Sequence, residues 1–346
     1  MRRFLIHMLK AALGERCSLF LARIANRWRV RRKLKSCCDY DLKRMLEFSG
    51  ACNGDTREAA IADIIATYHV VEKGLTMPNR RFVFGREIVK SLMRKVEEFE
   101  ARYGCADAQV EHAAGVVAEY FRMHRNLEHD KDRISLDADF KAKLEAFSSN
   151  HGSLQIRGQP HMTKERFYGD RTSAFDKFAF ARHTLRHYGG GELPIGRIAS
   201  AVEIALSTPS ACNRQYCRVH CITDKSDMSS ILEIQGGNRG FGHLADKLLI
   251  VTADLQGLLM AQERSDLYTN GGMFLMNLCY ALYYKEIAHC ILNWSKMPEE
   301  DLRLRRIVPL KPSETVIALL TCGETPDEFD VAASPRKTLD DVLIVH

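Results

Sequence analysis

The sequence predicts a chain in two parts, an all-helical first part followed by a mixed layer of helices and strands. From residue 39 to about 147, apolar residues recur at spacings of three and four with no strand-like alternation, as in helices that bury one face. Beyond residue 170, helical stretches alternate with short β-branched runs, which predicts strands covered by helices. Between these parts, residues 148–168 are rich in Gly, Ser and polar side chains and read as a linker or exposed crossover. The predicted organisation is a basic segment over 1–35, a helical region over 36–150, a linker over 151–168 and a second domain over 169–346.

Residues 1–35 contain eleven Lys or Arg against one acid, Glu15, and Leu5, Leu9, Leu13, Phe20, Ile24 and Trp28 share roughly one helical face. Two readings stand. One is a solvated basic helix packing on its own domain; the other is a helix lying on an anionic bilayer, where each basic residue contributes about 1 kcal/mol. Helices are then predicted over 57–72, 85–102 and 110–127. After the linker come a helix over 194–206, a strand over 218–223, a helix over 228–234 and a strand over 248–253. A long helix over 268–284, a strand over 288–292, a short helix over 298–306 and a core strand over 315–322 complete the layer. The last eight residues, LDDVLIVH over 339–346, read as a β-branched strand without a hairpin partner nearby. An apolar edge of that kind is expected to pair at a distance with a second subunit, which favours a dimer.

Composition limits the function classes. The 346 residues are 46% hydrophobic and 27% charged with only 9 Pro and 22 Gly, a globular balance that excludes collagen-like and wholly disordered chains. Eleven cysteines without a CxxC pair, and no signal-peptide cleavage site, predict a reduced, cytoplasmic set. Net charge is +6, but residues 1–35 alone carry +10, leaving about −4 for the rest. Nucleic-acid binding by the body is therefore not expected. Lys10, Glu15, Arg16 and Arg23 interrupt the most apolar stretch, so no membrane-spanning helix is expected.

Three motifs carry chemistry. In RHTLRHY (182–188), Arg182 and Arg186 stand four apart, one turn if the segment is helical, so that both guanidiniums converge on one anion. The alternative is an exposed basic turn. In PSACNRQ (209–215), Ser210, Asn213 and Gln215 donate and accept hydrogen bonds at once, as the edge of a heterocycle requires; the alternative is a helix-ending turn capped by Asn. Cys212 has no base placed by local sequence and reads as a small buried residue. The third, GGNRGFG (236–242), is not GxGxxG and follows a helix rather than a strand, so its glycines read as a tight backbone path.

No metal site is predicted. His183 and His187, or His124 and His129, lack convergent ligands at known spacings. GxSxG, the Walker lysine motif and HExxH are all missing, which weighs against hydrolase and NTPase functions.

In chain order, RHTLRHY, PSACNRQ, YTNGGMFLMNLCYAL with HCILNW after it, and CGE followed by SPRKTLDDVLIV resemble the FMN-dependent nitroreductase family over residues 170–346. Residues 69–85 and 236–255 are similar to a longer subgroup of bacterial polysaccharide gene clusters with a helical N-terminal extension. The resemblance implies an α+β fold, a mixed sheet flanked by helices, and a homodimer with one FMN at each of two sites made by both subunits. It places Arg182, Arg186 and Arg336 at the FMN phosphate, and His183 and Thr184 near phosphate and ring. Ser210, Asn213 and Gln215 meet the pyrimidine edge, while Asn293 and Trp294 present backbone groups to N5 and O4. Tyr216 and Cys217 stand where the family continues with Pro and Trp, and Trp294 replaces a small residue. Ser334 stands where some members carry a Lys for the reduced ring, a charge that Arg214 is expected to supply instead.

The implied reaction is ping-pong hydride transfer from NAD(P)H to FMN and then to a small organic acceptor, with no dedicated catalytic side chain. Alternatives are a sister flavin chemistry such as dehydrogenation or dehalogenation, or a flavin-binding scaffold in envelope polysaccharide assembly, with peripheral contact at the inner membrane through residues 1–35.

Overall fold

The first helix runs well past the end that its charge predicted. In this computed structural model, α1 spans Arg2–Phe48, crossing residue 35 without a break because neither Gly nor Pro occurs between residues 15 and 48. The structure describes all residues except 1, 53–54, 79–82, 105–106, 126–135 and 152–157, and the side chains of residues 2–15, 17 and 18. Leu5, Leu9 and Leu13 of the expected apolar face therefore lie outside the described side chains. The rest of that face does not pack on its own domain: Phe20 is 63% and Trp28 68% exposed. The helix is moored near its end, where Arg264 grips Asp41 through two bonds of 2.7 and 2.8 Å.

Helices α2 (Arg57–Leu75), α3 (Arg86–Tyr103), α4 (Ala108–Arg125) and α5 (Ala138–Asn150) form the predicted helical region. Thr56 and Asp137 cap α2 and α5 by accepting from Ala59 N and Phe140 N. The three-and-four spacing becomes one core: Ile64, Tyr68, Val71 and Leu75 meet Leu92 and Val96, Val117 and Tyr120, and Phe140 and Leu144. The expected end of the third helix at residue 127 lies outside the described residues.

The stretch predicted as a linker instead holds structure from residue 161. Strand β1 (His161–Thr163) runs directly into α6 (Lys164–Phe167), and β1 pairs antiparallel with β6 (Glu328–Asp330). Phe167 and Tyr168 are buried; the Tyr283 hydroxyl donates to Phe167 O and the Tyr168 hydroxyl bonds Thr325. An aromatic pair at the end of a polar run thus belongs to the second core.

Then follow α7 (Phe175–Ala181), α8 (Ile195–Ala205), β2 (Cys217–Ile222), α9 (Lys225–Gln235), β3 (Lys247–Asp254) and α10 (Asp266–Tyr284). Next come β4 (Ala288–Asn293), α11 (Pro298–Ile307) and β5 (Glu314–Gly323). The sheet order is β2-β3-β5-β4. All its pairings are antiparallel, where a mixed sheet was expected. Every residue of β3 is buried, because helices cover both faces. The pleat sends Leu248, Ile250 and Leu319 toward Ile231 and Leu304, and Leu249, Val251 and Leu320 toward Ile198, Phe274 and Leu278. The fold is α+β, a helical region followed by a sheet between helix layers, as the sequence predicted.

Residues 339–346 form no strand within the chain. They make a turn, with Val342 N and Leu343 N donating to Leu339 O, and then leave Leu343 59% and Val345 85% exposed. β-Branched composition makes a strand only where a partner edge is available.

Candidate functional site

The segment 182–188 is extended, not helical. Helix α7 ends at Ala181, Arg182 takes extended dihedrals, and Leu185 N donates to His289 O of β4 at 3.0 Å. Leu185 and Tyr188 are buried, which fixes the segment against the sheet. Arg182 and Arg186 therefore do not share a helical turn; four residues of extended chain separate them by about 13 Å.

What the extended path does is carry His183, Thr184 and Arg186 into one pocket of about 410 Å³. Ser334, Pro335, Arg336 and Lys337 form its second wall, and Ile65, Tyr68, His69 and Gln109 of the helical region its third. Arg186 lies with its guanidinium 6.0 Å from the Phe241 ring, and its Nη2 is 3.4 Å from His69 Nε2. Its Nε is buried without a hydrogen-bond partner. Burial lowers the pKa of His183, and the charges of Arg182 and Arg336 lower it further, favouring the neutral ring. Arg182 does not line the pocket and acts on it only through its field.

A neighbouring carboxylate, Glu72, is fully buried and hydrogen-bonded. It accepts from His112 Nε2 at 2.8 Å, from Ser334 N at 3.1 Å and from Ser334 Oγ at 3.3 Å, with His69 Nδ1 3.8 Å away. Burial would raise its pKa, but the bond from His112 and the nearby His69 outweigh burial and hold it at about 2. Its charge thus helps fix the turn that carries Arg336. Gly240, at φ +87, lets the 236–242 loop pass so close to Met77 that an added Cβ would sit 3.2 Å from its sulfur. The loop is the tight path expected, and it brings Phe241 under Arg186.

The PSACNRQ loop does not line this pocket. It follows α8 and turns through three left-handed residues that are not glycine, Cys212 (φ 52), Asn213 (φ 54) and Gln215 (φ 48). Each such conformation costs on the order of 1 kcal/mol, and strain of that kind collects at functional loops. The turn is held by Gln215 N donating to Ser210 Oγ at 3.0 Å, by Gln215 Nε2 on Asn213 Oδ1 at 3.0 Å, and by Ala211 N on Asn270 Oδ1 at 2.8 Å. Cys212 is exposed here, not buried, because its left-handed backbone turns it outward.

Arg214 does not offer a free cation. Its guanidinium donates to Glu263 at 2.8 and 3.2 Å and to Gly257 O at 2.7 Å, and these bonds help hold the Glu263 carboxyl at about 2. Arg214→Ala is therefore expected to loosen the 209–215 turn, lowering the melting temperature and exposing the turn to protease, with phosphate affinity unchanged. Equal protease resistance in variant and wild type would show that the ion pair does not hold the loop.

At the end of β4, Asn293 O accepts from Gln235 Nε2 at 3.2 Å, and the Trp294 indole donates to Asp301 at 3.0 Å. Both are thereby fixed, away from the pocket lining. The candidate residues form a cluster of His183, Thr184, Arg186 and Arg336, and two separate groups at 210–215 and 293–294. His187 is held toward the neutral form by burial, and His124 bonds Val83 N and Tyr120 O, as structural polar residues do. His129 lies outside the described residues. Among the described residues, no three His, Cys, Asp or Glu side chains could hold a metal ion, and no helix is long and apolar enough to cross a membrane.

Sequence reasoning missed Tyr68, His69, Glu72 and Gln109. A signal existed: Glu72 falls on the apolar stripe of α2, beside Tyr68, Val71 and Leu75. A carboxylate at a core position announces a polar partner.

No family model matches the sequence, and no curated protein does. Among solved structures, the chain is similar to the nitroreductase family protein of Streptococcus pneumoniae at 17% identity and a TM-score of 0.44, over 50% of this chain and 100% of that one. It is also similar to an FMN-dependent nitroreductase of Clostridium difficile at 13% identity and a TM-score of 0.39, over 48% of this chain and 92% of that one.

Proposed function

We propose that the chain is an FMN-dependent oxidoreductase that takes hydride from NAD(P)H and reduces a small organic acceptor. The observation that carries the proposal is that Arg186, Arg336 and Lys337 line one pocket, beside a carboxylate whose oxygens are hydrogen-bonded to His112 and Ser334. A phosphate monoester, with between one and two negative charges and several acceptor oxygens, fits such a site, and forked guanidiniums suit it best. The buried Nε of Arg186, without a partner, is a donor that such a group satisfies. Thr184 adds a hydroxyl donor to the same wall. FMN, when bound, supplies the hydride chemistry, and the chain holds and orients it.

The polar turn at Ser210, Asn213 and Gln215 suits the pyrimidine edge, and because it lies outside the pocket of its own chain we assign it to the site of a second copy. The exposed apolar tail at 339–346 and the sheet order, which leaves β2 as an edge strand, support such a homodimer. The order of the four motifs in the sequence supports the flavin reading over other phosphate ligands.

The first test is the absorbance spectrum of the purified protein with FMN, before and after anaerobic NADH and then NADPH. Flavin bands that bleach with either donor are expected. A protein that takes up no FMN would overturn the proposal, and a bound flavin that neither donor bleaches would leave the scaffold reading.

A further inference from the structure

We propose that His69, on α2 of the helical region, is a positioning residue for Arg186: it takes one N–H of the guanidinium and so aims the others at the pocket. That the anion is the FMN phosphate rests on the function proposed above; the contact itself rests on geometry.

His69 lines the pocket, and its Nε2 is 3.4 Å from Arg186 Nη2. A guanidinium only donates, so Nε2 accepts and the ring proton sits on Nδ1. That nitrogen faces Glu72, 3.8 Å from its Oε2. His69 and Glu72 are three apart on α2, which places both side chains on one face of the helix. Glu72 is itself held, being fully buried and accepting from His112 Nε2 of α4 and from Ser334 N. A line of contacts therefore runs from the buried carboxylate through the imidazole to the pocket cation, and each member orients the next.

The effect on Arg186 follows from its shape. A guanidinium is a rigid, planar fork of donors, so holding one N–H sets the direction of the rest. The Phe241 ring, 6.0 Å from the guanidinium carbon, is its second neighbour. Neither contact is with an anion, so together they orient the cation without neutralising it. Arg214 shows the opposite case, its fork closed on Glu263. An arginine that receives a phosphate has to be ordered in advance and still keep donors for the ligand, and a neutral imidazole allows both. Without His69 the long side chain regains its rotamers, and the ligand has to order it on binding.

The test uses the full chain in phosphate-free buffer, with FMN, riboflavin and inorganic phosphate as separate probes in calorimetric titrations. His69→Leu removes the acceptor, whereas His69→Gln returns one, its amide oxygen standing as many bonds from the backbone as Nε2. His69→Leu is expected to weaken FMN binding roughly three- to tenfold, the cost of ordering one long side chain, with riboflavin unaffected and His69→Gln close to wild type. In an Arg186→Gln background, His69→Leu is expected to cost nothing further, because its effect passes through Arg186. FMN affinity unchanged in His69→Leu, equal losses for FMN and riboflavin, or a loss that persists undiminished in the Arg186→Gln background would overturn the proposal. So would a His69→Gln variant as weak as His69→Leu. If wild type binds phosphate in a His69-dependent way but not FMN, the positioning role stands and the flavin reading falls. If wild type binds neither FMN nor phosphate, both fall.

Discussion

Arg186→Gln is expected to weaken FMN binding on the order of a hundredfold while leaving the ligand-free protein as stable as wild type or more so. The two effects have opposite signs for one reason. With the phosphate bound, Arg186 makes charge-assisted bonds worth roughly 1.5–3 kcal/mol each. Without it, the same guanidinium has a buried Nε lacking a partner among the described residues. An unsatisfied buried donor alone costs about 1–3 kcal/mol, which a neutral side chain avoids in part. Calorimetric titration with FMN, paired with thermal melts in phosphate-free buffer, reads both signs. A variant that melts well below wild type yet binds FMN equally would show Arg186 to be a structural cation and remove the phosphate site.

The second large effect belongs to Glu72. Its carboxyl is held at about 2 in the folded chain against an ordinary value of 4.5, because hydrogen bonds from His112 and Ser334, with His69 close by, overcome the opposing effect of burial. A lowered acid pKa contributes stability that is fully present above the unfolded value. That stability is lost as pH falls from about 4.5 through about 2. At 1.36 kcal/mol per unit, the ionised form contributes about 3 kcal/mol at neutral pH. Glu72→Gln is therefore expected to lower the unfolding free energy by about 3 kcal/mol at pH 7, with the gap to wild type closing as pH approaches 2. Urea denaturation across that range measures it, and a gap that stays constant would assign the loss to shape rather than charge. FMN affinity should fall as well, because the turn bearing Arg336 hangs on this carboxylate through Ser334.

The sheet strands were legible because burial on both faces writes itself as an unbroken apolar run, as in Leu248, Leu249, Ile250 and Val251. Helices α2 and α3 were legible from their spacing, with ends misplaced by a few residues, whereas α1 ran on to Phe48 past its expected end at residue 35. Features decided by distant partners were not. RHTLRHY is locally compatible with a helix, and only the bond from Leu185 N to His289 O on β4 settles it as extended. β1 is three residues long and is a strand only because residues near 329 lie beside it. The tail at 339–346 has strand composition but joins no strand edge of its own chain.

The candidate site divides along the same line. The resemblance placed Arg182, His183, Thr184, Arg186 and Arg336 together, and one pocket gathers all of them but Arg182. Nothing local to Arg214 foretold its closure onto Glu263, a residue 49 positions on. The contributions of Tyr68, His69 and Glu72 depend on how α2 meets the 331–337 segment, a relation that no periodicity records.

The bond between Glu72 and Ser334 joins residues 262 positions apart, which sets when the pocket comes into being. Chains are made from the N-terminus at roughly 5–20 residues per second, so α2 is synthesised long before its partner. Bringing such distant segments together carries a loop-closure entropy that local helices do not, and contacts of this separation form late in folding. The pocket is therefore among the last parts of the molecule to appear. A nascent chain halted short of residue 334 has the helices that wall the pocket without the pocket.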